Sequence, residues 1–162
     1  MAVIGGGNAG FETAIALTRW AKKIYILECG EKVIADIKNQ ELAQKTKKVK
    51  IITNAALKEI KGDKFANSVI YQNRKTGKDE ELKVEGVFVE IGSQPASSFA
   101  NDLVEFNERG EIKVDFETFQ TKTPGLFAAG DVNVGKYKQI VTAAGEGAKA
   151  ALAAAEYLKN LK

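Results

Sequence analysis

Histidine is absent from the 162 residues, and cysteine occurs once, at Cys29. Without an imidazole there is no Ser-His-Asp or Cys-His catalysis, no histidine-ligated metal and no imidazole proton shuttle. A single thiol allows neither an internal disulfide nor a dithiol relay within these residues. Charge of one sign is also scarce: 24 Lys and Arg against 21 Asp and Glu leave a net +3, too little to argue for nucleic acid. The one basic run, Lys45 to Lys50, has no interleaved aromatics and reads as a solvated surface. No apolar run approaches the roughly 18 residues of a membrane span, and Met1 leads straight into Ala2-Val3-Ile4-Gly5 without a basic or apolar leader. The expectation is a soluble, cytoplasmic protein with no metal, no membrane contact and no nucleic-acid partner.

What is present is ordinary globular material, 44% hydrophobic and 28% charged, in about one domain's length of chain. Periodicity and punctuation organise it, since there is no internal repeat. Ala2-Val3-Ile4 is a short apolar run ending in three glycines, as a buried strand entering a tight turn would be. Asn8 to about Lys22 is helical in pattern, with Ala14, Leu17 and Ala21 on one stripe. Lys23–Glu28 is strand-like, Lys38–Lys47 a short helix, and Val49–Thr53 a strand. This β-α-β-α-β order predicts a parallel sheet with right-handed crossovers. Leu57–Ile60, Val69–Gln72, Leu82–Val84 and Val87–Ile91 then read as strands of an antiparallel meander, with Lys75-Thr76-Gly77-Lys78 as a hairpin turn. Gly92-Ser93-Gln94-Pro95 ends the apolar run and places a boundary between residues 1–94 and 95–162. In the second part Ala96–Asn107 is an irregular connection, Glu111–Val114 and Leu126–Ala129 are short strands, and Gln139–Lys162 is an alanine-rich helix.

Gly5-Gly6-Gly7-Asn8-Ala9-Gly10 satisfies G-x-G-x-x-G, a weak match alone that gains weight from the strand before it and the helix after it. Glu28 ends the next strand 18 positions after Gly10, close to the roughly 20 expected of a dinucleotide fold. Gly5 permits the turn, Gly7 removes a side chain where a pyrophosphate must approach backbone, and Gly10 lets the helix lie close on the strand. The N–H groups of the helix starting near Asn8, with Ala9, then face the phosphates. The plainer alternatives are a ligand-free glycine turn and a solvated strand-end acid. A carboxylate at Glu28 accepts from both ribose hydroxyls of NADH and repels a 2′-phosphate. Hydrogen bonds to a charged group are worth about 1.5–3 kcal/mol, so the expected preference over NADPH is roughly ten- to a hundredfold.

The chain resembles the thioredoxin reductase-like group of flavoprotein disulfide reductases, with the flavoprotein subunits of alkyl hydroperoxide reductases as the nearest branch. The resemblance covers essentially the whole chain. It is carried by Val3-Ile4-Gly5-Gly6-Gly7-Asn8, Leu27-Glu28, Phe88-Val89-Glu90-Ile91-Gly92 with Pro95, Thr123-Pro124-Gly125-Leu126-Phe127-Ala128-Ala129-Gly130-Asp131, and Tyr137-Lys138-Gln139 with Gly145-Glu146-Gly147. It implies a Rossmann-like α/β FAD/NAD(P)-binding fold, with an NAD(H) domain at 1–94 and the C-terminal part of an FAD domain at 95–162. It implies that Gly92 lies close to bound nicotinamide nucleotide and that Glu12 belongs to the same site. Gly130 and Asp131 would approach the flavin ribityl chain, and Gln139 and Ile140 would begin a helix facing the isoalloxazine.

The departures from that family are a Cys-x-x-Cys upstream of the Gly5 strand and an N-terminal half holding most of the FAD, neither of which is in this sequence. Cys29 matches no redox position and reads as a partly exposed bystander. The family reaction passes hydride from NADH to FAD and on to a cysteine pair, and this chain alone is expected to be inactive in it. The missing FAD and Cys-x-x-Cys half, or another copy of the chain, is the expected partner, with Ile140, Val141, Leu152 and Leu158 left uncovered in its absence. The alternative is a stand-alone, non-catalytic NADH-binding module. Two other motifs carry nothing: Tyr71 to Lys75 spells Tyr-x-x-x-Lys but spans a strand and hairpin, and the alanine-rich C-terminal helix buries too little for a membrane surface.

Overall fold

The computed structural model describes residues 1–161 and divides into two compact units, Met1–Gly92 and the residues from Ser93 onward. The first unit holds seven strands and two helices in the order β1 (Ala2–Ile4), α1 (Asn8–Leu17), β2 (Ile24–Leu27), α2 (Ile37–Lys45), β3 (Val49–Ile52), β4 (Ala55–Gly62), β5 (Ala66–Asn73), β6 (Asp79–Lys83) and β7 (Val87–Val89). Strands β3-β2-β1-β7 form one sheet, and all its pairings are parallel. Strands β4-β5-β6 form a separate antiparallel sheet.

Both faces of the parallel sheet are covered, which is why β1 and β2 are nearly continuous in apolar residues. Val3, Ile24 and Ile26 pack with Phe11, Ala14 and Leu17 of α1 and Ala43 of α2. Their sequence neighbours Ala2, Ile4 and Leu27 point the other way, against Ala55, Val69, Tyr71 and Val84 of the meander side. Register keeps each cluster on one face, with Val3 opposite Ile26 and Ile4 opposite Leu27. Fully burying a side chain such as Phe11 or Ile26 contributes roughly 1.5–3 kcal/mol, so this three-layer arrangement anchors the turns that leave the sheet.

Three expectations are corrected. Helix α1 stops at Leu17 instead of Lys22, because the Thr18 hydroxyl donates to Ile15 C=O at 2.6 Å and the chain turns, with Ala21 N–H on Leu17 C=O. Ala21 still packs on the core, so the apolar stripe outlives the helix. The last strand of the expected meander leaves it: β7 returns to the parallel sheet beside β1, with Val3 opposite Phe88. The segments 111–114 and 126–129 make only isolated bridges, Ile112 to Phe106 and Asn133, and Phe127 to Gln120.

The second unit is built around Ala100, Val104 and Ile112, with Phe106, Val114, Leu126, Ala128 and Val132 packed against them. Its long helix α3 (Ile140–Asn160) buries only Ala150 among its side chains. It is tied to the rest of the unit by the Phe127–Tyr157 edge contact and by Lys149, which donates to Phe116 C=O at 3.0 Å and lies over the Phe119 ring.

Candidate functional site

The C-terminal ends of β1, β2 and β7 open into a cleft of about 670 Å³. Gly5, Gly6, Gly7, Asn8 and Ala9 form one wall, Glu28 and Cys29 another, and Glu90, Ile91 and Gly92 a third, with Ile34 and Ala55–Leu57 completing the lining. The glycines act here through close approach. Gly5 has φ +115°, and a Cβ there would fall 2.2 Å from Glu90 O. A Cβ on Gly10 would fall 2.0 Å from Gly5 O, so α1 rests directly on the turn. Gly7 and Gly92 are different: a Cβ on Gly7 would have only Ile34 Cγ1 at 4.0 Å, and one on Gly92 (φ +95°) would have nothing within 4 Å. These two positions leave backbone open toward the cleft, the space a phosphate or a flat ring requires. Helix α1 begins with no side-chain cap on Gly7, and its first-turn N–H groups have no intrahelical acceptors. The residues present therefore fit a dinucleotide.

The Glu28 carboxylate holds the cleft's second wall. Its Oε2 accepts from Gly6 N–H at 2.7 Å and its Oε1 from Gly30 N–H at 2.7 Å, with the Cys29 thiol at 3.4 Å. Partial burial pushes its pKa up, but the Gly30 and Gly6 amides and the contacts with Cys29 outweigh that and hold it below the ordinary carboxylate value. Each carboxylate oxygen has two lone-pair sites, so Oε2, which accepts from Gly6 alone, retains one for a ribose hydroxyl. The segment after Glu28 folds back on the glycine turn: Ile34 N–H and Ala35 N–H both donate to Gly6 C=O, at 3.0 and 3.1 Å.

Of the residues expected at a nicotinamide nucleotide, Gly5, Gly7, Asn8, Ala9, Glu28 and Gly92 line this cleft. Gly10 sits beneath it, and Glu12 lies off it, where its carboxylate accepts from Asn39 Nδ2 at 3.4 Å. The Asn8 side chain is engaged laterally, donating to Asp36 Oδ2 at 3.0 Å and accepting from Asp36 N–H at 2.7 Å, which ties the starts of α1 and α2 together. Asp36 was not singled out by sequence, nor was Thr13, whose hydroxyl donates to Glu90 Oε1 at 2.9 Å. Their partners lie 28 and 77 residues away, and no local pattern marks them. Cys29 is an exposed free thiol.

In the second unit, Gly130 and Asp131 lie in the loop before α3, with Asp131 exposed, and Gln139 is the N-cap of α3 without a side-chain cap bond. Ile140 follows it, 91% exposed. The loop's shape depends on residues that sequence reasoning left without a role. Glu146 Oε2 accepts from Gly130 N–H at 2.8 Å and from Asn133 Nδ2 at 2.6 Å, and the fully buried Asn133 accepts from Gly135 N–H through Oδ1 at 2.7 Å. Lys138 donates to Asn133 C=O and pairs with Glu111 at 3.0 Å, mostly away from solvent. Asn107 and then Lys138 donate to Glu111 and hold its pKa below the usual range. Among the described residues no group of His, Cys, Asp or Glu could hold a metal ion, and no helix is long and apolar enough to cross a membrane.

A parallel sheet with a glycine turn at its central strand and a carboxylate at the next strand's end is a Rossmann-like FAD/NAD(P)-binding fold. The family model described as pyridine nucleotide-disulphide oxidoreductase matches residues 1–147, and the chain belongs to that family. An alkyl hydroperoxide reductase subunit of Staphylococcus aureus (strain NCTC 8325 / PS 47) is 42% identical over 158 residues, covering 98% of this chain and 31% of the relative. A Bacillus subtilis (strain 168) protein named NADH dehydrogenase is also 42% identical, with the same coverage. Among solved structures, Lactococcus lactis thioredoxin reductase superimposes with a TM-score of 0.83 at 38% identity, over 98% of this chain and 52% of that one. Thioredoxin reductase of T. acidophilum gives a TM-score of 0.80 at 37% identity, over 99% and 52%. The chain thus spans about half the length of the solved relatives and a third of the curated ones. Members of this family use FAD and a pyridine nucleotide.

Proposed function

We propose that the Met1–Gly92 unit binds NADH in its cleft, as the pyridine-nucleotide part of a thioredoxin reductase-like flavoprotein disulfide reductase. The observation that carries this reading is the Glu28 carboxylate, fixed at the end of β2 by Gly6 and Gly30 with a lone-pair site on Oε2 to spare beside an open glycine turn. Supporting it, the Bacillus subtilis relative carries NADH in its name. Bound there, the nicotinamide would supply a hydride to FAD, from which electrons pass to a cysteine pair; this chain has one cysteine and no such pair. Its own residues bind and orient. The α1 amides take the pyrophosphate, Glu28 takes the adenosine ribose, and the bare backbone at Gly92 admits the nicotinamide end. In the second unit, the uncapped start of α3 at Gln139 and Ile140 would set N–H groups toward the anionic end of a reduced flavin, with Asp131 near the ribityl chain.

A partnered chain is favoured over a stand-alone NADH module by the surface of α3, where Ile140, Val141, Leu152 and Leu158 are all more than 60% exposed. An FAD-bearing segment, or a second copy of the chain, would cover them. The experiment for the cofactor is a direct titration with NADH and NADPH by calorimetry. NADH is expected to bind roughly ten- to a hundredfold more tightly, and Glu28→Gln to narrow that gap about tenfold. Equal affinity for the two nucleotides in the unaltered protein would overturn the assignment of Glu28.

A further inference from the structure

Few side chains in the cleft are free to read the base of a nucleotide. Of the lining residues, only Asn8, Glu28, Cys29 and Glu90 carry a hydrogen-bonding side chain. Asn8 is engaged by Asp36, at 3.0 and 2.7 Å, and Glu90 accepts at 2.9 Å from Thr13, which lies outside the lining. The Cys29 thiol donates to Glu28 Oε1 at 3.4 Å, and the site left on Glu28 Oε2 falls to the ribose. What remains for a base is apolar surface.

On the adenosine side that surface is Ile34. A dinucleotide lies across the reversal of strand order at β1, and Glu28 marks the β1–β2 side as the adenosine half. Val33-Ile34-Ala35 ends the loop leaving β2. Val33 packs on the core and Ala35 is buried, which turns Ile34 outward, 83% exposed. The side chain flanks the glycine turn, with Cγ1 4.0 Å from where a Cβ on Gly7 would stand. Its backbone is fixed: the Ile34 and Ala35 N–H groups donate to Gly6 C=O at 3.0 and 3.1 Å. Ala55 N–H donates to Glu28 C=O at 2.9 Å, which brings Ala55, Ala56 and Leu57 to the same side without adding a polar side chain.

Resting on the NADH reading above, we propose that Ile34 is a specificity-determining residue for the base of the nucleotide: it takes the face of the ring, and no side chain reads the edge. The cleft therefore selects a flat purine by its area and does not distinguish a 6-amino from a 6-oxo group. Contact with a face is indifferent to which edge atoms donate and which accept, whereas a site that hydrogen-bonds an edge rejects the swapped pattern by orders of magnitude.

The test is a set of dissociation constants, measured on the full chain as wild type and Ile34→Ala, for NADH and for its analogues carrying hypoxanthine or cytosine in place of adenine. In the wild type the hypoxanthine analogue should bind within about twofold of NADH, and the cytosine analogue, with its smaller ring, about three- to fivefold more weakly. Ile34→Ala should weaken both purine ligands roughly five- to tenfold, the scale of losing about 50 Å² of apolar contact, and the cytosine analogue by less. Because Ile34 is exposed, the variant should melt within about 2 °C of the wild type. A hypoxanthine analogue bound more than about tenfold more weakly than NADH would show that the edge is read and would overturn the proposal. Equal weakening of all three ligands by Ile34→Ala, or none, would overturn it as well. A wild type that binds none of the three would instead overturn the NADH reading itself.

Discussion

At the scale of single residues, the glycine turn is shaped by contacts that reach it from both sides. Gly5 and Gly10 are required because backbone meets backbone, whereas Gly7 and Gly92 keep space open. Glu28 closes the turn through its two oxygens. Its pKa is raised by burial and lowered further by the Gly30 and Gly6 amides, for a net depression. A carboxylate depressed in the folded state stabilises it above the unfolded value of about 4.3, and that contribution is lost as pH falls through the folded pKa. Glu28→Gln should accordingly melt below wild type from about pH 5 upward, with the gap closing below about pH 4. Thermal melts across that range check it, and a gap constant with pH would show that the ionised form adds nothing. The placement of Gly5, Gly7, Gly10 and Glu28 around one turn was legible in the sequence because the strand–turn–helix and the end of the next strand impose it locally. The Asn8–Asp36 clamp and the Thr13–Glu90 bond were not, since each joins residues whose nearness is a product of the finished fold.

Among the elements, the parallel core was readable because strands covered on both faces are apolar throughout, and the helices because their stripes repeat at helical spacing. The destination of β7 was hidden, as Val87 to Ile91 alternates no differently whether it joins one sheet or the other. The tail's short strands failed for a related reason: Gly110 and Gly125 turn the chain at positive φ, and no long neighbour offers a ladder beyond one bridge. Helix α3 was legible in its extent and in its uncovered apolar positions, with Leu152 at 73% and Leu158 at 62% exposure. The double substitution Leu152→Lys and Leu158→Lys should change the stability of the isolated chain by less than about 0.5 kcal/mol, as exposed sites do. It should also reduce any self-association seen in sedimentation. A loss of stability of about 2 kcal/mol or more would mean that these side chains are already covered within one chain.

For the molecule as a whole, every residue lining the cleft at the glycine turn belongs to Met1–Gly92, the first compact unit. Its core is likewise its own, with both clusters around the parallel sheet drawn from the same residues. Residues 1–92 produced alone should therefore fold cooperatively and bind NADH within about threefold of the full chain, a difference well under 1 kcal/mol. Circular dichroism and the same titration check this, and an unfolded 1–92 segment would show that the core needs residues from the second unit.

The doubled hydrogen bond onto Gly6 C=O from Ile34 and Ala35, with Glu28 on the Gly6 amide, bears on timing. A glycine turn tied at both its C=O and its amide has little conformational freedom left to lose. If a nucleotide binds here as proposed, stopped-flow mixing should show an observed rate that climbs in proportion to concentration, without the plateau that a gating rearrangement imposes.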